Sequence, residues 1–348
     1  MSASTLPLHN LTVEPKLTVS FRLLLGLYFI IPLCLVLQVA DSWFLQGSLK
    51  QLLPSSPSHF LLFQILFGTP HIIASSLILV SNRDYIQRYR RSLLLMTAAL
   101  AIFFGLGSLL LPYKVMYVMV AAWTVYHVLK QQHGIARGVC RLPGWAFQLL
   151  LWLSITAGIF IYVGIFLKNS LDVQQAGLIR YMAGGLSFCL VCSAALCQRY
   201  CTTTFSRYFL WANVFLVLSS FYLYVQQYYF LAIMIPRLVH DATAYIFYVT
   251  HDYNKHHRQA QNFMYRYAAY CNVPIFVVLP LLSFGLAFAL QAYGDDAVNL
   301  ISTTLFEVEI RKAVTVGVLG YLALMHYFTE AFTWKQDSPY RQFIGFSK

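Results

Sequence analysis

Apolar residues run through this chain in ten long blocks separated by short polar segments, near positions 18–40, 59–80, 92–112, 114–131, 144–167, 178–198, 207–226, 229–250, 271–293 and 312–333. Each block approaches the roughly 20 residues that a helix needs to cross a hydrocarbon layer. The pattern predicts an all-α, polytopic transmembrane helix bundle of about ten spans, forming one integral membrane domain over 1–348. No internal repeat and no long linker divides it. The narrowest separation is at Pro112, Tyr113 and Lys114, between the third and fourth blocks.

Composition supports lipid as the solvent. Charged residues make up 10% of the chain and apolar residues 59%, against roughly 25% charged in a soluble domain. The net charge of +12 does not predict nucleic-acid binding, because the basic residues are dispersed between the apolar blocks. Their distribution carries topology instead. Seventeen of the 24 lysines and arginines fall in one alternating set of loops and six in the other, with Arg237 inside a span. The positive-inside bias then predicts both termini in the cytoplasm, with the chain in the cell (inner) membrane. The polar stretch Met1–Pro15 carries no pattern of a removable signal peptide. Of the seven cysteines, Cys189, Cys192, Cys197 and Cys201 cluster on one apolar helix. They spread too widely around it for one tetrahedral site and are expected to pack as small apolar side chains.

Ionisable groups in lipid are costly and mark function. Here they concentrate in four of the ten spans. Span two carries Gly68-Thr-Pro-His71. Span four ends in Tyr126-His127 with Gln131 and His133. Span eight holds Arg237, His240, Asp241, Tyr245, Tyr248, His251 and Asp252, followed by His256 and His257. Span ten ends with His326 and Glu330. All four run in one direction, so sequence position reports depth. At about 1.5 Å per residue, His71, His240 and His326 reach a similar level, with His127, Glu330, His251 and Asp252 in a shallower cytoplasmic tier. His240 and His251, eleven apart, share a helix face; His326 and Glu330, four apart, stack; Arg237 and Asp241, four apart, can pair. His9 and His59 lie at the margins.

Neutral imidazole is the commonest metal ligand, and helix bundles build metal sites from inward His and carboxylates. The candidate ligands are His71, His127, His240, Asp241, His251, Asp252, His256, His257, His326 and Glu330, supported by Gln131, Arg237, Tyr245 and Tyr248. The expected cofactor is iron, one ion or two, and the expected activity is oxidation of a lipid-like substrate entering from the bilayer. The chain carries no dinucleotide or haem-attachment motif, so electrons would come from a separate protein. A proton-coupled transporter and a non-catalytic membrane component are the competing readings. The remaining six spans are expected to form an apolar jacket.

His251-x4-His256-His257 and His127-x5-His133 are similar in style to the histidine boxes of membrane fatty-acid desaturases and hydroxylases. That resemblance implies two irons near the cytosolic side. The spacings here depart by one or two residues, and a third box is missing. The segments His127–Gly134, His240–Asp252 and His326–Lys335 also resemble bacterial multi-span membrane proteins. This second similarity implies a recurring architecture and no particular reaction.

Overall fold

The computed structural model describes residues 17–259, 262–333, 335 and 337–347, with backbone only at Ser108, Tyr113 and Thr333. His9, the polar N-terminal stretch and Trp334 lie outside the described residues. The fold is all-α, with 84% of residues helical. Ten long helices follow the ten apolar blocks in order: α1 Phe21–Phe44, α2 Leu61–Ser81, α3 Arg83–Leu110, α4 Tyr113–Cys140, α5 Gly144–Phe166, α6 Val173–Cys197, α7 Thr204–Val225, α8 Tyr229–His256, α9 Ile275–Phe306 and α10 Leu319–Thr333. A π-helical turn at Ala313–Val318 leads into α10. Eight of the ten are long and apolar enough to cross a membrane; α4 and α10 are not among the eight. Both carry polar residues of the site described below, which lower their hydropathy.

The expected jacket is corrected in part. The most apolar segments of α1, α3, α6 and α9 are 28%, 6%, 22% and 22% buried, whereas those of α5 and α7 are each 56% buried. The first four therefore lie on the outer surface, and α5 and α7 join the core. Helix α8 is the axis, 67% buried and packed against α1, α2, α4, α7 and α9. Exposed Val36, Trp43, Leu109, Phe188 and Leu281 mark the outer surface, as expected where lipid replaces water. Helix α9 continues past its predicted end to include Asp295, which accepts from the backbone of Val314 and Thr315 and from the Thr315 hydroxyl. A carboxylate here satisfies otherwise open N–H groups at the start of the α10 segment.

Two short strands close the structure. β1 (Thr18–Ser20) pairs in parallel with β2 (Gly345–Ser347), so the two ends of the described chain meet on one face. Asn254, in the last turn of α8, fastens them there. Its side chain bonds Leu17 N at 2.9 Å, Leu17 O at 2.8 Å and Phe343 O at 2.8 Å. A short amphipathic helix, Phe263–Tyr270, buries Tyr265 and Ala268 and exposes Phe263, Tyr267 and Tyr270. Aromatic side chains of this kind suit a membrane–water boundary.

Close helix packing needs small residues. Gly164 in α5 lies against Tyr224 in α7, and a Cβ there would sit 2.9 Å from Tyr224 Cε2 and closer still to its hydroxyl. Gly164→Val is expected to cost about 1–3 kcal/mol through overpacking. The check is thermal denaturation of the detergent-solubilised protein, and an unchanged melting temperature would contradict this packing.

Candidate metal centre

The site is assembled from α2, α4, α8 and α10, beginning with a local irregularity. In α2, Gln64–Gly68 form a π-helical turn just before Pro70. Proline has no N–H to donate to the preceding turn, which loosens the helical ladder at this point. Single π-turns recur at functional sites because they re-aim the side chains that follow. Here the residue that follows is His71, whose Nδ1 donates to the Phe67 carbonyl at 3.2 Å. Gly68 serves the same region. A Cβ on it would lie 2.8 Å from Arg237 Nη2 and would collide with the Gln64 amide oxygen, so glycine admits both side chains.

Four imidazoles from four helices meet inside the bundle. Ring centroids are 5.5 Å apart for His71–His240, 4.7 Å for His240–His127, 5.1 Å for His127–His326 and 4.9 Å for His326–His71. The diagonal His240–His326 measures 6.2 Å. All four are buried. One donor atom from each of His127, His240, His326 and Glu330 lies within 4.8 Å of the others, and the same holds for His71, His240 and Asp241. These buried groups can hold a metal ion.

The hydrogen bonds orient the rings. His240 Nδ1 donates to Gln131 Oε1 at 2.8 Å. Gln131 Nε2 in turn donates to Glu330 Oε1 at 2.7 Å, and Gln132 donates to Gln131 Oε1 at 2.9 Å. Tyr248 reaches His326 Nδ1 at 3.3 Å and Glu330 Oε1 at 3.4 Å. In His71, His240 and His326, then, Nδ1 is engaged by protein. The Nε2 atoms of His127, His240 and His326 have no hydrogen-bond partner among the described residues. Metal-binding histidines show this division, with one nitrogen fixed by an outer partner and the other free to ligate.

Glu330 Oε2 lies 2.8 Å from His127 Nε2, yet the pair lacks hydrogen-bond geometry. The distance is short enough for a bond, and the direction is wrong for one. A proton on the imidazole or a bound cation would each make this approach favourable, and the donor grouping places both atoms where one ion can be held. The second grouping shares His240. Its Nδ1 is already held by Gln131, leaving one Nε2 and hence one ion at this histidine.

Buried carboxylates demand compensation, and Glu330 and Asp241 are both buried. Arg237 Nε lies 3.6 Å from Asp241 Oδ2, while Asp241 Oδ1 lies 3.6 Å from His71 Nε2. Arg237 is also held by Ser58 at 2.6 Å and Gln64 at 3.3 Å. Arg237 therefore compensates Asp241, while Glu330 faces the His127 ring.

The structure regroups the predicted residues. His127 and Glu330, expected in a shallower tier, join His71, His240 and His326, because rise per residue fixes depth along one helix and not the offset between helices. His251, Asp252 and His256 form a separate buried cluster. His251 Nε2 pairs with Tyr85 Oη at 2.7 Å, and His256 Nε2 lies 3.7 Å from Asp252 Oδ1 while its ring stacks on Tyr265. None of these belongs to a three-donor group among the described residues. His257 stacks on Tyr253 and donates to Asn254 O at 3.0 Å. His133 pairs with Ser154 at 2.9 Å. The histidine-box partners therefore do not converge on His127. Tyr245 pairs with Ser283 on α9 at 2.9 Å, away from the four imidazoles, whereas Gln131 and Tyr248 hydrogen-bond within the cluster and Arg237 lies beside Asp241. The four clustered cysteines are free thiols. Sequence reasoning missed Gln132, which links the site to Tyr28 at 2.9 Å, and Tyr85. The polar Gln131-Gln132 pair on a membrane helix was the available signal for the first; Tyr85 had none.

The chain matches no protein-family model, no curated protein and no solved structure. Its function must therefore be argued from the site.

Proposed function

We propose that this chain is a membrane-embedded oxidoreductase holding one iron ion and acting on a lipid-like hydrophobic substrate. The observation that carries the reading is the convergence of His127, His240 and His326 on Glu330, with the Nε2 atoms of His240 and His326 lacking a hydrogen-bond partner among the described residues and His71 alongside at 4.9 Å from the His326 ring. An imidazole set completed by a carboxylate, with no thiolate, suits non-haem iron. When bound, iron supplies redox chemistry. The chain's own residues orient the ligands through Gln131 and Tyr248 and compensate the Asp241 charge through Arg237.

A lipid-like substrate is supported by the position of Phe67. Its carbonyl holds His71, while its side chain is exposed on the outer surface beside exposed Leu66. One helical layer thus separates the site from the surrounding hydrocarbon. The reading includes ten crossings of the cell (inner) membrane with both termini cytoplasmic. The pairing of β1 with β2 supports it, since two ends on one face require an even number of crossings. A separate electron-carrier protein supplies the electrons.

The expected result is close to one iron per chain in protein purified in detergent, measured by elemental analysis. Iron(II)-loaded protein supplied with membrane lipid and an electron donor is expected to consume dioxygen. Protein that binds neither iron nor another divalent ion would sink the proposal. The polar face of α8 also favours a second reading, a proton-coupled carrier, which predicts pH-gradient-driven uptake in proteoliposomes by metal-free protein.

A further inference from the structure

Helix α8 carries Arg237, His240, Asp241, Ala244, Tyr248, His251, Asp252 and Lys255. Relative to Arg237 these fall at i+3, i+4, i+7, i+11, i+14, i+15 and i+18, which is one continuous face. The first half of that face serves the four imidazoles. The second half runs from Tyr248, whose hydroxyl touches His326 and Glu330, to the face where β1 and β2 meet.

This second half is buried, polar and incompletely satisfied by protein. Neither oxygen of Asp252, nor Nδ1 of His251, nor the hydroxyl of Tyr265 has a hydrogen-bond partner among the described residues. Leaving such groups unsatisfied is costly, and these four atoms lie on α8 and the short helix that follows it. A metal does not account for them, since no three donors here come together among the described residues. The Lys255 ammonium, one turn from His251 and three residues from Asp252, also disfavours a cation. Water satisfies all four, because it donates to the carboxylate and to an imidazole lone pair and accepts from a hydroxyl.

The cluster also reaches solvent. Lys255 Nζ bonds both carboxylate oxygens of Asp84 at 3.0 and 3.2 Å, and the Asp84 side chain is 60% exposed. Inward, His251 pairs with Tyr85, and Tyr248 stands three residues before it on the same helix, a rise of about 4.5 Å that one bridging water spans. At the opposite end of the stripe Arg237 stands beside Asp241, and its fixed positive charge repels hydronium.

We propose that the α8 face from Lys255 to Tyr248 is a one-sided inlet for water and protons, running from the strand-bearing face to the imidazole cluster. His251, Asp252 and Tyr85 bind water along it, and Arg237 closes the far end. Only the destination of the inlet rests on the metal-centre reading.

Pulsed X-ray hydroxyl-radical footprinting of the full-length protein in detergent, read by mass spectrometry, tests this with and without iron(II). Tyr85, Tyr248 and Tyr265, which are 0%, 2% and 0% exposed, are expected to be modified at rates comparable with exposed Tyr267. Tyr28, buried with its hydroxyl held by Gln132 and Asn213, is expected to stay unmodified. Asp252→Leu should bring Tyr85 and Tyr248 down to the Tyr28 level and leave Tyr267 unchanged. If that variant does not fold, the wild-type pattern decides. Tyr85, Tyr248 and Tyr265 as inert as Tyr28 would overturn the inlet. Failure to bind iron, with the labelling pattern unchanged, would overturn the metal reading alone.

Discussion

His240→Ala is expected to leave the protein folded and without its metal. His240 belongs to both donor groupings, and its ring sits between His71 and His127 at 5.5 and 4.7 Å. Removing a group that merely orients a ligand lowers metal affinity roughly 10–100-fold. Gln131→Leu, which deletes the acceptor of His240 Nδ1 and the donor to Glu330, should fall in that range. Loss of His240 itself should exceed it. The readout is metal per protein after dialysis against a chelator, with size-exclusion elution and circular dichroism confirming a folded sample. His59→Ala, on an exposed side chain, is the control and should retain full metal. A His240→Ala protein that keeps wild-type metal content would show that the imidazoles are a packing arrangement.

The second large effect is on stability. Arg237→Met removes the guanidinium that faces the buried Asp241 carboxylate. Breaking a buried pair by deleting one partner costs about 3–5 kcal/mol, because the other charge is left without compensation. Arg237 also surrenders its bonds to Ser58 and Gln64, which adds to the loss at the π-turn of α2. Replacing both members with apolar residues of similar size, Arg237→Met with Asp241→Leu, is expected to recover much of the stability, since no orphaned charge remains. Denaturation in a mixed-micelle titration measures Arg237→Met, Asp241→Leu and the double variant against wild type. If the double variant loses the sum of the two single losses, the pair is not coupled and the charge argument fails.

These two effects depend on features that differ in how far the chain alone reveals them. The existence of the metal candidates was legible, because an ionisable residue in an apolar block is expensive and stands out. The pairing of Arg237 with Asp241 was legible too, being a property of one helix at i and i+4. The stacking of His326 with Glu330 followed from the same rule and holds in the structure, where both join one donor group. The shared level of His71, His240 and His326 holds across three helices; the division into two tiers by depth does not. His127 and Glu330 were placed below His71, His240 and His326, yet they lie level with them. The sequence counts His251, Asp252, His256 and His257 with the ligands, yet none of them joins a three-donor group among the described residues. The similarity to histidine boxes misled in the same way. His127 and His133 are close in sequence, but six residues turn the second ring toward Ser154.

The all-helical class, the order of the helices and the concentration of titratable groups in α2, α4, α8 and α10 are legible from the sequence alone, while α3, α4, α8 and α9 run well past their apolar blocks because helix continues into polar residues. Local quantities govern these: hydrophobic length, 1.5 Å of rise and 100° of turn per residue. Only the tertiary structure decided which histidines meet. That choice depends on how helices are offset and rotated against one another, on the π-turn that re-aims His71, and on the glutamine pair that fixes His240. It also decided that α5 and α7 are core and not jacket, because an apolar side chain suits lipid and protein interior equally well and its sequence does not say which it faces.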